Sequence, residues 1–445
     1  MLQASTLGAS IYNDIFIIAF KLPNLFRRIF AEGAFTQSFL PSFASSKQKG
    51  IFSVAIFLRF FLFLLLFSIL VTIFDNFFTK LIAFGFDQET INKAAPLVAI
   101  NFYYLLLIFI VTFLATLLQY KNHFATTAFS TALLNISLIF ALLYAKDFEL
   151  HIIVYYMSYA VIVGGIFQIL THVIAIKRLH LDKLLIGGFK HLGKKKQKIK
   201  NDQKRFKGTF FASIIGNSTA QISAFLDTWL ASFLVSGSIS YLYFANRIFQ
   251  FPLALFAIAT SIALFPKIAK FLKNKDYMKA HQMLNRGFWF LLYLLSLATI
   301  CGIIFSKEIV WLLFERGVFS QIDTINTANV LNMYMIGLLP FGLAKIFSLW
   351  LYSTHRQKKA AQISGISLAV NIVLSIALIN ILQERGLALA SSISGFILLF
   401  LTIKEYGVNK FLDIIKNKKI LYFIIFITIW TIVFYILKDF INVYI

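Results

Sequence analysis

The chain has 445 residues, 59% of them hydrophobic and only 13% charged, with a formal net charge of +24; a soluble globular chain carries ~25% charged residues. Those values exclude an ordinary soluble domain and indicate an all-α polytopic membrane protein. The positive charge does not imply nucleic-acid binding, because Lys and Arg collect in short loops between apolar runs, as membrane topology dictates. Cys301 is the single cysteine, which excludes an intrachain disulfide and a cysteine-based metal cluster.

Twelve runs of ~20 apolar residues read as spanning helices. They are 11–43, 51–74, 94–119, 124–145, 151–176, 209–234, 238–265, 287–305, 325–352, 360–381, 386–403 and 419–437. Alternate loops hold most of the 42 Lys and Arg; by the positive-inside rule those loops are cytoplasmic, and no helix has to be added or removed for the alternation to work.

The first span is anomalous. It carries Asp14, Lys21, Arg27, Arg28 and Glu32 inside an otherwise apolar stretch. An arginine at bilayer depth against lipid costs at least ~2.5–3.5 kcal/mol, so Arg27 and Arg28 are expected to face a cavity or a partner. A pairing of Glu32 with Arg28, one helical turn apart, is the simpler structural reading of that acid. Pro23 removes a backbone hydrogen bond and predicts a kink, and Gly33 reads as a hinge or a close helix crossing. Arg59 and Lys345 read as snorkelling side chains.

The longest break, 177–208, is basic and reads as a solvated cytoplasmic linker drawn to anionic headgroups. It separates two halves that repeat each other. Tyr120-Lys-Asn-His123 followed by Asn135-Ile-Ser-Leu recurs as Tyr352-Ser-Thr-His355 followed by Asn371-Ile-Val-Leu. Ala19-Phe-Lys21-Leu with Pro41 is echoed by Ala245-Asn-Arg247-Ile with Pro266. A repeat offset by six helices keeps its orientation, the parallel-repeat transporter plan. The expected organisation is therefore an N-lobe over 1–176, the linker, a C-lobe over 209–403 and an extra C-terminal helix within 404–445. Helix 209–234 precedes the copy with Arg247, whereas no span precedes the copy with Lys21, so the first helix of a six-helix lobe is expected to be missing.

Enzyme signatures such as HExxH, GxSxG or a phosphate loop are absent. The intramembrane charges remain. Arg27, Arg28 and Arg247 come from equivalent regions of the two halves and are suited to a polyanion, since guanidinium binds phosphate bidentately. A second polar set comprises Asp227, the single acid of span 209–234, with Asn371, Ser375 and Ser391. These offer oxygen ligands to a monovalent cation, although ordinary interhelical hydrogen bonding explains them more simply.

The run Asp14-Ile-Phe-Ile-Ile-Ala-Phe-Lys-Leu-Pro-Asn-Leu-Phe-Arg-Arg-Ile-Phe-Ala-Glu-Gly-Ala-Phe35 closely resembles the second-helix signature of the MurJ (MviN) lipid II flippases. That family lies within a superfamily of multidrug and polysaccharide exporters. The stretch from Gln221 to Pro252 resembles its seventh and eighth helices, so the resemblance covers nearly all the chain. It departs from the pattern in lacking the first helix and in having one helix, not a pair, after the second lobe. The resemblance implies a transporter, not an enzyme, that flips lipid II from the cytoplasmic to the periplasmic leaflet of the bacterial inner membrane by alternating access. It implies that Arg27, Arg28 and Arg247, with Lys21, Asp14 and Glu32, form a cationic substrate cavity, with Pro23 and Gly33 as hinges. It also implies sodium at Asp227, Asn371 and Ser391, with Ser375 standing where such relatives carry an acid, or coupling to the membrane potential. Lipid II and membrane lipids are the implied partners, with cell-wall synthesis proteins beyond them, and a monomer is the implied state. Competing readings are a polysaccharide or multidrug exporter of the same fold, a membrane-embedded polyprenyl-phosphate enzyme and a non-transporting scaffold.

Overall fold

The computed structural model describes the backbone outside residues 28–33, 196–198, 417–418 and 445, and side chains outside those and 194–195, 212, 215–221, 223–224 and 441–444. Arg28, Glu32 and Gly33 thus lie outside the described residues. Helices and short turns make up the rest. α1 (Leu2–Leu7) leads to α2 (Ile11–Phe26), which starts at Ser10, whose hydroxyl accepts from the Asn13 amide. α3 (Thr36–Ser45), α4 (Lys49–Ile73), α5 (Asp75–Ile82), α6 (Gln88–Phe102), α7 (Tyr104–Tyr120), α8 (Ala125–Ala145) and α9 (Leu150–Arg178) follow. α10 (Leu181–Lys195) and α11 (Lys200–Ala231) come next. α12 (Ser238–Pro252) runs through a π-helical segment, Leu253–Ile258, into α13 (Ala259–Lys273). The chain ends with α14 (Tyr277–Ile304), α15 (Ser306–Phe314), α16 (Gln321–Ile336), α17 (Leu338–Ser353), α18 (Gln357–Tyr406), α19 (Val408–Ile415) and α20 (Lys419–Tyr444).

Among the described residues nine helical stretches are long and apolar enough to cross a bilayer, so the protein is multi-pass. α18 counts once there, although Gln383, at φ 51° and ψ −131°, divides it where two separate spans were expected. Span 209–234 is helical within α11, and span 11–43 is represented by α2 and α3 on either side of the undescribed residues.

Contacts group the chain into two compact units: residues 10–233 with Leu2, and residues 1 and 3–9 with 234–445. In the first unit α7 is buried along most of its length, and α2, α4, α6 and α9 pack about it. Lipid tails are as apolar as leucine, so helix association here depends on packing and interhelical hydrogen bonds. Phenylalanine supplies much of the packing. Phe206 is fully buried, with Phe35, Phe39, Phe52 and Phe60 edge-on at 5.9–6.4 Å and Phe210 stacked at 5.5 Å. Such pairs contribute ~0.5–1.5 kcal/mol each. Asn101 adds a buried bond from Nδ2 to Ser158 Oγ at 2.8 Å, and Gln168 Nε2 donates to the Ser130 carbonyl at 2.9 Å.

The segment expected as a solvated linker is largely helical and docked. α10 crosses the start of α4 at two glycines: a Cβ on Gly188 would lie 2.3 Å from the Gly50 carbonyl oxygen, and one on Gly50 would lie 2.5 Å from that of Leu184. Only hydrogen at both positions permits this approach. α11 begins at Lys200 and carries Phe206 into the first unit's core, so the expected boundary at 208/209 falls inside one helix and the contact boundary lies at 233/234.

In the second unit α17 is the most enclosed helix, packed by α13, α14 and α18. α1 belongs here: Val318 N–H donates to the Ser5 carbonyl at 2.9 Å, and Ala4 and Leu7 are fully buried. Gly317, at φ 60°, admits this contact, since a Cβ there would meet the Ser5 oxygen at 2.2 Å. α20 lies along α14 through Tyr293, whose ring meets Phe423 at 5.3 Å and Phe426 at 4.9 Å.

The repeated motifs both end a helix in a left-handed turn, but one residue out of step: φ is 58° at Asn122 in the first copy and at His355, the position after its counterpart Thr354, in the second. His123 N–H reaches back to the Leu118 carbonyl at 3.0 Å, as Arg356 N–H does to Leu351 at 2.8 Å. Each is the left-handed turn that ends a helix.

Candidate functional site

Arg27 follows directly on α2, four residues after Pro23. Proline lacks the amide that would bond one turn back, yet α2 continues through it to Phe26. At Arg27 the backbone becomes π-helical, and its side chain turns back on its own helix: Nε and Nη2 both donate to Asn24 Oδ1, at 3.2 and 3.0 Å. The sequence offset that pairs Lys21 with Arg247 also pairs Arg27 with Leu253, where the other π-helical segment starts. Wide turns of this kind are local departures that recur at functional sites. Asp14 is buried in the first turn of α2, where a carboxylate complements the helix dipole, and Lys21 is half-buried.

Arg247 is presented differently. It is exposed on α12, its guanidinium lies over the Tyr243 ring at 4.9 Å, and Nη2 donates to the Tyr243 hydroxyl at 3.1 Å. Asn246 and Gln250, which are hydrogen-bonded to each other, share that face. A band of amide, phenol and guanidinium on a spanning helix requires contact with water instead of hydrocarbon. α4 shows the opposite: its exposed side chains beyond Arg59 include Leu62, Phe63, Leu66, Ile69, Leu70 and Ile73, a surface for lipid. Arg59 does not simply snorkel; its Nη1 donates to Gln203 Oε1 on α11 at 2.9 Å. Lys345 is exposed on α17.

Of the residues considered for sodium, Asn371 and Ser375 are buried on α18, with Ser375 Oγ donating to Asn371 Oδ1 at 3.4 Å. Ser391 is half-buried farther along α18, and Asp227 is half-buried on α11 in the other unit. Among the described residues no group of three or more His, Cys, Asp or Glu is arranged to hold a metal ion.

The family described as "Lipid II flippase MurJ" matches residues 3–444. The probable lipid II flippase MurJ of Helicobacter pylori (strain ATCC 700392 / 26695) is 53% identical over 427 residues, covering 94% of this chain and 92% of that protein. The chain belongs to the MurJ family. A solved structure titled "Lipid II flippase MurJ, inward closed conformation" is similar at a TM-score of 0.78 and 26% identity, covering 99% of this chain and 94% of the other. A multidrug resistance MATE family transporter of the MOP superfamily shares the fold at a TM-score of 0.65 and 13% identity, covering 94% of this chain and 99% of that one. As a MurJ-family member the protein is a transporter, not an enzyme.

Two features of this MurJ-family chain escaped the sequence reading. Glu384 is buried at the break in α18 and accepts from Ser238 Oγ at 3.4 Å, placing an acid at the start of α12. Its neighbour Arg385 falls in the loop read between spans 360–381 and 386–403, which hid the burial. The second feature is a small open pocket within the first unit. Phe26 and Arg27 line it beside α2, Phe35 beside α3, Phe60, Phe63 and Leu64 on α4, and Leu105, Ile108 and Phe109 on α7. No sequence signal joins four helices that far apart.

Proposed function

We infer that this protein is a lipid II flippase, moving the polyprenyl-diphosphate-linked peptidoglycan precursor from the cytoplasmic to the periplasmic leaflet of the bacterial inner membrane by alternating access. The single observation that carries the reading is the match to the MurJ family along almost the whole chain. The chemistry fits it. Arg27 and Arg247 are intramembrane guanidiniums, each backed by a polar residue of its own helix. A guanidinium fork suits a diphosphate, and charge-assisted bonds of this kind contribute ~1.5–3 kcal/mol each. Arg28 joins them in this reading, with Lys21, Asp14 and Glu32 setting the local charge balance, and Pro23 and Gly33 serving as hinges. Release is driven by the membrane potential, worth ~2.3 kcal/mol per charge per 100 mV, or by sodium bound at Asp227, Asn371, Ser375 and Ser391. The basic loops are cytoplasmic, and the protein acts as a monomer beside cell-wall synthesis proteins.

The test is transport of a fluorescent lipid II analogue across proteoliposomes holding the full chain. Transfer to the far leaflet that is lost in Arg247→Ala supports the assignment. Equal transfer by Arg247→Ala and the parent protein overturns the role of the arginine, and transfer no faster than in empty liposomes overturns the function.

A further inference from the structure

α11 stands at the head of the second repeat in the sequence, yet its contacts place it in the first unit along its whole length. Both of its ends are fastened there. At its start Ser46 Oγ donates to Asp202 Oδ2 at 2.7 Å, and Arg59 Nη1 donates to Gln203 Oε1 at 2.9 Å. At its finish the loop between α5 and α6 closes on it. Trp229 Nε1 donates to the Leu81 carbonyl at 3.2 Å, and the Gly85 amide donates to Ser232 Oγ at 3.0 Å. A Cβ on Gly85 would lie 2.4 Å from the Phe233 nitrogen, so only glycine lets the two backbones meet. The Phe84 ring covers the joint, 6.3 Å from Trp229 and 6.2 Å from Phe233. Lys80 Nζ braces the loop itself, donating to the Phe86 carbonyl at 3.0 Å.

The second unit repeats the joint. Gly317 follows Gly85 at the same interval that separates Tyr352 from Tyr120. It too leaves no room for a Cβ, here against the Ser5 carbonyl, and the next amide, that of Val318, donates to the same oxygen. Each joint grips a helix shortly before the chain passes between units, after Ala9 in one case and after Phe233 in the other. Past Phe233 the chain changes character. Val235 is exposed, and Gly237 takes φ 94°, a conformation that glycine adopts without strain.

We propose that the Gly85 joint is a fastener that stays closed through the transport cycle, committing α11 to the first unit and leaving residues 234–237 as the link that yields. This rests on the alternating-access reading and adds to it the part of the chain that bends. A helix tied at both ends to one body moves with that body. A short link with exposed side chains and few buried contacts deforms first, and a glycine at its end absorbs the backbone rotation.

The experiment uses the full chain with Cys301→Ser in proteoliposomes. Spin labels at Leu81→Cys and Ile222→Cys, both exposed, leave the side chains of the joint intact. Their distance distribution is expected to hold one population, unchanged by a fluorescent lipid II analogue. Gly85→Val drives a side chain into the Phe233 backbone and is expected to broaden it. Should Gly85→Val fail to fold, Ser232→Ala removes one hydrogen bond and is expected to broaden it less. A second population that grows with the analogue, or no broadening in whichever variant folds, overturns the proposal. A separate arm bridges Phe84→Cys to Phe233→Cys with a short bismaleimide. Bridging is expected to cause no loss of transfer, and a loss that appears only on bridging overturns the fastener. Ser236→Pro stiffens the link and is expected to slow transfer; an unaltered rate overturns the link's part. No transfer by the parent chain overturns the transport reading alone, and the distance measurement still decides the fastener.

Discussion

Arg27 and Arg247 lie in two repeated stretches, six residues out of register with each other, and are set in opposite surroundings. Arg27 is partly buried, lies where α2 gives way to a π-helical turn, and lends its stem to an aromatic pocket. Arg247 is exposed on a regular helix, lies over Tyr243, and shares its face with two amides. Segments similar in sequence therefore set one arginine beside an aromatic pocket and the other on a wet, polar face. The lesson is that an intramembrane charge is legible in sequence, whereas the phase it faces is set by neighbours from other helices.

The largest effect expected from breaking this contrast comes from adding charge to each face. Leu66→Arg puts a guanidinium on the lipid surface of α4 and is expected to cost ~2.5–3.5 kcal/mol, seen as a collapse of membrane-inserted yield. Gln250→Arg on α12 should insert normally; equal yields for the two variants would remove the distinction between the faces. Next come the arginines themselves. Arg27→Lys and Arg247→Lys keep the charge and lose the fork, and each is expected to slow lipid II transfer about 10- to 100-fold, the loss of one charge-assisted contact. Undiminished transfer in either variant would remove that arginine from the site.

A smaller change separates the helices from their side chains. Gly188→Val forces α10 off α4, an overpacking of ~1–3 kcal/mol. The thermal midpoint should drop, whereas accessibility of a cysteine placed at Asn246 should stay constant. A changed accessibility there would show that the disturbance spreads beyond the first unit. The smallest effect belongs to Tyr243→Phe, which removes the hydroxyl contact and retains the ring beneath Arg247. Transfer should slow by no more than about fivefold, the range of ~0.5–1 kcal/mol for a single exposed interaction. Tyr243→Leu should slow it further, and equal rates for Phe and Leu would deny the ring a part.

Much of the fold could be read from apolar runs because a bilayer imposes their length, and the alternation of basic loops made their count self-consistent. The segment 177–208 misled for a physical reason. Its lysines dominate the composition, while the docking of α10 depends on two hydrogen atoms, at Gly50 and Gly188, that leave no trace in a charge pattern. Phe206 likewise reads as one more phenylalanine beside a basic stretch, although it sits at the centre of the first unit's aromatic core. At the site, Asp14, Lys21, Arg27 and Arg247 stood out because charge within a span is costly. Glu384 did not, since it lies where two spans meet, and the aromatic pocket did not, since its lining looks like any other core.

The contact between Ser5 and Val318 joins the first turn of the chain to a loop far along it. During synthesis α1 emerges early and finds its seat only when that loop has been made, roughly 15–60 s later at ~5–20 residues per second. Until then α1 lacks the Val318 bond that fastens it to its own unit, so the order of translation itself delays closure of the second unit. A ribosome pause upstream of Val318 should leave α1 protease-sensitive, and passage beyond it should protect it.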